Sequence, residues 1–175
     1  MRKLLSCSTT ARGRGSFLAC GILLLSLVWL PASQAQQSEE LLAINAVLDE
    51  FHAAAAAGDW PRYFALMSEG GVFLGTDAGE RWQKAEFQRY AQNSDGWVYH
   101  PTERNVDLTP DGMSAWFDEL LDSQSYGMSR GTGILIKSAE GWRIAQYHLT
   151  FPVPNALARD ITDQIKAYEA ENQGC

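Results

Sequence analysis

Apolar positions follow a helical rhythm in the first part of the chain and a strand rhythm in the second. In "SEELLAINAVLDEFHAAAAAGDW", Leu41, Leu42, Ile44, Val47, Leu48 and Phe51 recur close to every 3.6 residues. With an acidic start at Ser38, Glu39 and Glu40 and a stop at Gly58, this predicts a helix with one buried face. Asp59 predicts the cap of a short second helix, with Pro61 in its first turn and Tyr63, Phe64, Leu66 and Met67 packing inward. "GGVFLGT" predicts a short strand, and "KAEFQRYAQ" a third helix that ends near Asn93 to Gly96.

The period then changes to two. "WVYHPTERNVDL", "MSAWFDELLD", "MSRGTGILIK" and "WRIAQYHLTF" predict long strands, with turns at "TPDG" and "SAEG". "FPVPN" stops the last strand, and "ALARDITDQIKAYEAEN" predicts a terminal helix with Leu157, Ile161, Ile165 and Tyr168 on one stripe. Helices first and an antiparallel meander afterwards predict an α+β domain, with the helices on one face of a curved sheet.

Residues 1–35 have a different pattern, that of a secretory signal. Arg2, Lys3, Arg12 and Arg14 form a basic front, Phe17 to Leu30 is nearly all apolar, and Ser33 and Ala35 are the small residues a signal peptidase reads. Cleavage after Ala35 is expected, which makes the protein secreted or periplasmic and leaves one domain, residues 36–175, with no membrane segment. That remainder carries ten basic and 21 acidic residues, a net charge of −11. Such a balance argues against nucleic acid and anionic membranes as partners. Cys7 and Cys20 leave with the signal, and Cys175 alone cannot close an internal disulfide.

The pieces "VFLGTDAGERW", "AWFDELLD", "GTGILI" and "GWRIAQYHLTFPVPN", in this order between two helices and a meander, resemble the SnoaL-like branch of the nuclear transport factor 2-like superfamily. The resemblance runs from about Leu42 to Asn155. It implies a cone-shaped fold, in which a strongly bent antiparallel sheet wraps the N-terminal helices and leaves a pocket at the wide end, with the C-terminal helix as an addition. The superfamily includes isomerases, cyclases, dehydratases, epoxide hydrolases and oligomerisation domains, so the resemblance does not select a reaction.

Strand alternation sorts side chains into a pocket face and an outer face. Taking Trp142 and Ile144 as core places Gln146 and His148 inward, with Tyr147 and Leu149 outside. Taking Lys137 as external places Arg130, Thr132, Ile134 and Ile136 inward. On "MSAWFDELLD" the small-then-large series Ala115, Phe117, Glu119 and Leu121 is favoured as inward, and a one-residue bulge would exchange Glu119 for Asp118. The candidate constellation is therefore Arg130, Glu119 and His148, with Tyr99 near the bend at Pro101. Phe117 and Gln146 are further ligand-contact candidates.

In "GTDAGERW", Gly75 and Gly79 provide turn conformations and Asp77 accepts backbone hydrogen bonds. Glu80 and Arg81 can pair, and Arg81 and Trp82 are candidate ligand contacts. The glycines of "GTGIL" are read as permitting sheet bending. His52, His100 and His148 share no metal-ligand spacing, so no metal or other cofactor is expected.

Three functions follow as alternatives. The first is a pocket for a small, largely apolar ligand bearing a carbonyl or anionic group that Arg130 would meet. The second is an isomerase-, cyclase- or dehydratase-type enzyme with His148 or Glu119 as base. The third is a structural domain, a homodimer through an outer sheet face bearing Tyr147, Leu149 and Trp116.

Overall fold

The computed structural model describes residues 32–172. Helix α1 (Ala32–Ala56) turns Ile44, Leu48, Phe51, Ala54 and Ala55 into the core, while Leu42 is exposed. The helix already includes residues 32–37, so Ser38 lies within it, its hydroxyl donating to the Ala35 carbonyl at 2.8 Å. The expected signal segment falls, apart from its last four residues, outside the described residues, as does Cys175. Among the described residues no helix is long and apolar enough to cross a membrane.

Asp59 caps α2 (Trp60–Ala65), its carboxylate accepting from the Arg62 N–H at 3.2 Å with Pro61 in the first turn. Strand β1 (Met67–Leu74) leads through the turn at Thr76–Gly79 into a short strand, β2 (Arg81–Gln83), and then α3 (Lys84–Ala91). The meander follows: β3 (His100–Leu108), β4 (Ser114–Ser123), β5 (Gly127–Ser138) and β6 (Gly141–Thr150). Helix α4 (Ala158–Asn172) closes the order and buries none of its residues.

The six strands form one sheet in the order β2-β1-β6-β5-β4-β3. It is not wholly antiparallel, since β1 runs parallel to β6. A parallel pair needs a long crossover, which α3 and the four strands between β1 and β6 supply. β2 was not expected, because three residues are too few to show a period.

One irregularity decides the faces. Ile134 of β5 pairs with Gln146 of β6, but Leu135 pairs with Ile144, so Ala145 is an extra residue with no partner. Before this bulge Trp142 and Ile144 face the core as the alternation predicts. Beyond it the phase inverts: Tyr147 is buried with Phe73 and Gly133 as its neighbours in register, and Gln146 and His148 lie on the outer face. Strand β5 is also inverted from expectation. Ser129, Gly131, Gly133 and Leu135 face inward, whereas Arg130, Ile134 and Ile136 are exposed. The assumption that failed is Lys137. Its side chain lies on the inner side, with its ammonium 5.9 Å from the Trp142 ring centroid and 2.5 Å from Glu40 of α1.

Register across the sheet builds an inner belt of Trp82, Phe73, Tyr147, Gly133, Phe117 and Val106, one residue per strand. Trp82 and Phe73 stack at 6.2 Å, Phe73 and Tyr147 at 5.8 Å, and Tyr147 meets Phe117 at 5.8 Å across the gap left by Gly133. α1 covers the β3–β6 end of the belt, and α3 places Phe87 against Phe73 at 4.0 Å.

Candidate functional site

Behind the belt a buried polar network joins four elements. Glu119 is fully buried on β4, inward as favoured, and Asp118 is exposed. Its Oε1 accepts from His52 Nε2 at 2.7 Å and from the Tyr147 hydroxyl at 2.9 Å, and its Oε2 accepts from Arg104 Nε at 2.8 Å. Arg104 Nη1 continues to Asp49 at 2.7 Å and to the Asn45 amide oxygen at 3.2 Å on α1. Burial pushes the Glu119 carboxyl up, but the hydrogen bonds and charges of His52 and Arg104 outweigh burial and hold it below the ordinary carboxylate value. Burial, then the Glu119 charge, pushes the Tyr147 phenol well above its ordinary value, so it remains a donor. A carboxylate only accepts, so His52 Nε2 is the donor in this bond.

His52, Arg104 and Tyr147 were absent from the candidate set. His52 lies eight residues after Ile44 and four after Leu48, on the buried stripe of α1. Arg104 alternates with Val106 and Leu108. Both positions were therefore available from period alone, whereas Tyr147 was hidden by the bulge.

Two cavities adjoin. The inner one, about 20 Å³, is walled by His52, Tyr63, Tyr147 and Phe51 and has room for roughly one water. The buried Tyr63 hydroxyl has no hydrogen-bond partner there. Phe73, Trp97, Tyr99 and Leu149 also line the outer cavity, an open cleft of about 250 Å³. Trp82, Phe87 and Tyr90 build one wall of this cleft, with Trp82 and Tyr90 4.6 Å apart. Tyr126 and Phe151, stacked at 4.9 Å, build a second, and Gly75, Thr76 and Glu80 form the rim. The Tyr99 phenol is pushed up by burial and then by the nearby Tyr126, while a hydrogen bond to Ser123 opposes this. Two larger hollows, of about 500 and 550 Å³, have more polar than apolar lining side chains and do not share walls with the network.

The structure divides the expected site residues. Trp82 and Tyr99 line the cleft, and Glu119 sits behind it. Phe117 faces inward but is closed into the belt, packed on Tyr147. Arg130, His148 and Gln146 are on the outer face for the reasons of register given above. Arg81 is exposed because β2 turns Trp82 inward and its neighbours outward. Within "GTDAGERW", Asp77 Oδ1 accepts from the Gly79 N–H at 2.7 Å, and no Glu80–Arg81 pair is present among the described residues. Among the described residues, no group of three or more His, Cys, Asp or Glu side chains is placed to hold a metal ion.

A curved six-stranded sheet packed on N-terminal helices, with an aromatic cleft between them, defines a nuclear transport factor 2-like α+β domain. Solved structures share it. A nuclear transport factor 2-like protein with a cystatin-like fold from Novosphingobium aromaticivorans matches with TM-score 0.58 and 16% identity, covering 74% of this chain and 92% of that one. A nuclear transport factor 2-like protein of unknown function from Pseudomonas putida matches with TM-score 0.56 and 17% identity, covering 70% and 90%. A candidate dehydratase of the same family from Streptomyces avermitilis matches with TM-score 0.54 and 15% identity, covering 67% and 99%. No curated protein sequence gives a match. The SnoaL-like domain model matches residues 44–154, and the chain belongs to that family.

Proposed function

We propose that this SnoaL-like domain binds a small, largely apolar molecule in the aromatic cleft. One observation carries the reading: eight of the twelve described residues lining the cleft are aromatic. Its volume, about 250 Å³, suits a ligand smaller than the roughly 300–1,000 Å³ of drug-sized sites. The test is calorimetric titration with a panel of small aromatic compounds. Saturable binding should be lost in Trp82→Ala and retained in Arg130→Ala, since Arg130 is on the outer face. A panel without a binder, or binding indifferent to Trp82→Ala, would remove the reading.

A second reading, acid–base catalysis beside a carbonyl as in an isomerase, cyclase or dehydratase, draws support from the Glu119–His52 pair behind the cleft. There His52 takes the role expected of His148, with Glu119 holding its ring. Turnover abolished by His52→Ala but not by His148→Ala would establish it, and the reverse result would sink it. The candidate dehydratase among the similar structures shares the fold only.

The basic and apolar N-terminal segment supports export to the periplasm or beyond, testable as a mature form beginning at Gln36. Trp116 and Ile134, neighbours in register and both exposed, support a homodimer through the outer sheet face.

A further inference from the structure

We infer that the cleft selects a cation: an ammonium or methylated ammonium group on an apolar body, lodged between aromatic faces with Glu80 as its counter-ion. This rests on the cleft being the binding site.

The charge inventory of the lining is one-sided. Among the described residues no Lys, Arg or His lines the cleft, and Glu80 is its only carboxylate. Arg130, the group that would have met an anion, is across the sheet, and Arg81 points away from the rim. Among the described residues no cation pairs with Glu80, although Glu40, Glu50, Glu69 and Glu119 all have basic partners.

Glu80 is also held in place before any ligand arrives. Its backbone carbonyl accepts from the Gly75 N–H at 2.8 Å, and its own N–H donates to the Asp77 carbonyl at 3.0 Å. Its Oε2 accepts from the Asp77 N–H at 3.2 Å. The carboxylate lies over Gly75, where a Cβ would collide with it. Gly75 does not have a positive φ, so close approach, not turn geometry, is what requires glycine here. A carboxylate fixed in this way needs little ordering when a ligand binds.

Around it stand exposed aromatic faces. Tyr90 is 56% exposed, Tyr126 64% and Phe151 38%, on two walls of one cleft. The negative face of an aromatic ring attracts a cation, most strongly where water is partly excluded. A ligand carboxylate would instead be placed near Glu80 with no cationic side chain to receive it. The chain's net charge of −7 adds a long-range attraction of the same sign.

Three soluble probes with one benzyl body test the inference on the purified protein: benzyltrimethylammonium, benzyl alcohol and phenylacetate. Calorimetry should show the cation binding about tenfold or more tightly than the other two. Glu80→Gln, confirmed as folded by circular dichroism, should remove most of that preference and leave benzyl alcohol binding unchanged. Phenylacetate or benzyl alcohol binding as tightly as the cation would overturn the charge assignment while leaving the cleft as a binding site. A cation preference that survives Glu80→Gln would also overturn it. Saturation by none of the three would remove the cleft reading itself.

Discussion

Glu119 takes three hydrogen bonds from three different elements, and it is the residue on which this interior most depends. Replacing it by Ala leaves Arg104, whose side chain is only 9% exposed, with the exposed Asp49 as its single ionic partner among the described residues. Removal of one member of a buried ion pair costs about 3–5 kcal/mol, and the surviving Asp49 contact places this case near the low end, about 3 kcal/mol by urea unfolding. The loss should depend on pH. The folded-state pKa of Glu119 lies below the unfolded one, so its contribution is complete above the unfolded value and fades as pH falls through the folded value. The stability gap between wild type and Glu119→Gln should therefore be full at neutral pH and narrow on acidification below the ordinary carboxylate range. A gap independent of pH would mean that the charge is not its source. Of this network only Glu119 was read from the sequence. Its partners are 67, 15 and 28 residues away, and nothing in a local period reports which distant side chains will converge on one carboxylate.

At the scale of elements, every long periodic segment became the helix or strand its pattern predicts, since a buried stripe or face is the property that the period encodes. What periodicity left undetermined was phase. On β4 the small-then-large series Ala115, Phe117, Glu119 and Leu121 indicated the inward face correctly. On β5 and β6 a long flexible lysine and one extra residue reversed the inference, and Arg130, Gln146 and His148 were misplaced together. The glycines of β5 have a use beyond bending. A Cβ at Gly131 would overlap the Tyr147 hydroxyl and lie 2.9 Å from Glu119 Oε1. Gly131→Ala should therefore destabilise by about 1–3 kcal/mol through overpacking, seen as a lower urea midpoint with an unchanged slope. Helix α4 is the opposite case. None of its side chains is buried, so deleting residues 156–175 should reduce helical ellipticity yet change unfolding free energy by no more than about 0.5 kcal/mol.

For the molecule as a whole, the sheet has one face committed to helices and aromatic core and one open to solvent. The open face carries Trp116 at 50%, Ile134 at 42% and Ile136 at 39% exposure on adjacent strands. In the homodimer proposed above, two such faces meet, and sedimentation velocity should give twice the mass of the chain. Trp116→Glu should halve it without lowering thermal stability of the monomer, while a monomeric wild type would refute the assembly. Tyr147 and Leu149, expected at this interface, cannot take part, because the bulge turns them to the inner face, where both line the inner cavity.

That unpaired alanine bears on how such chains diverge. Deleting Ala145 would remove the bulge and leave Ile144 and Gln146 as consecutive partners of Leu135 and Ile134, with Tyr147 and Leu149 still on the inner face. A single codon lost there would shorten β6 and straighten it while keeping the same inner surface. Among SnoaL-like chains, an alignment that slides past this residue without a gap would compare the inside of one protein with the outside of another.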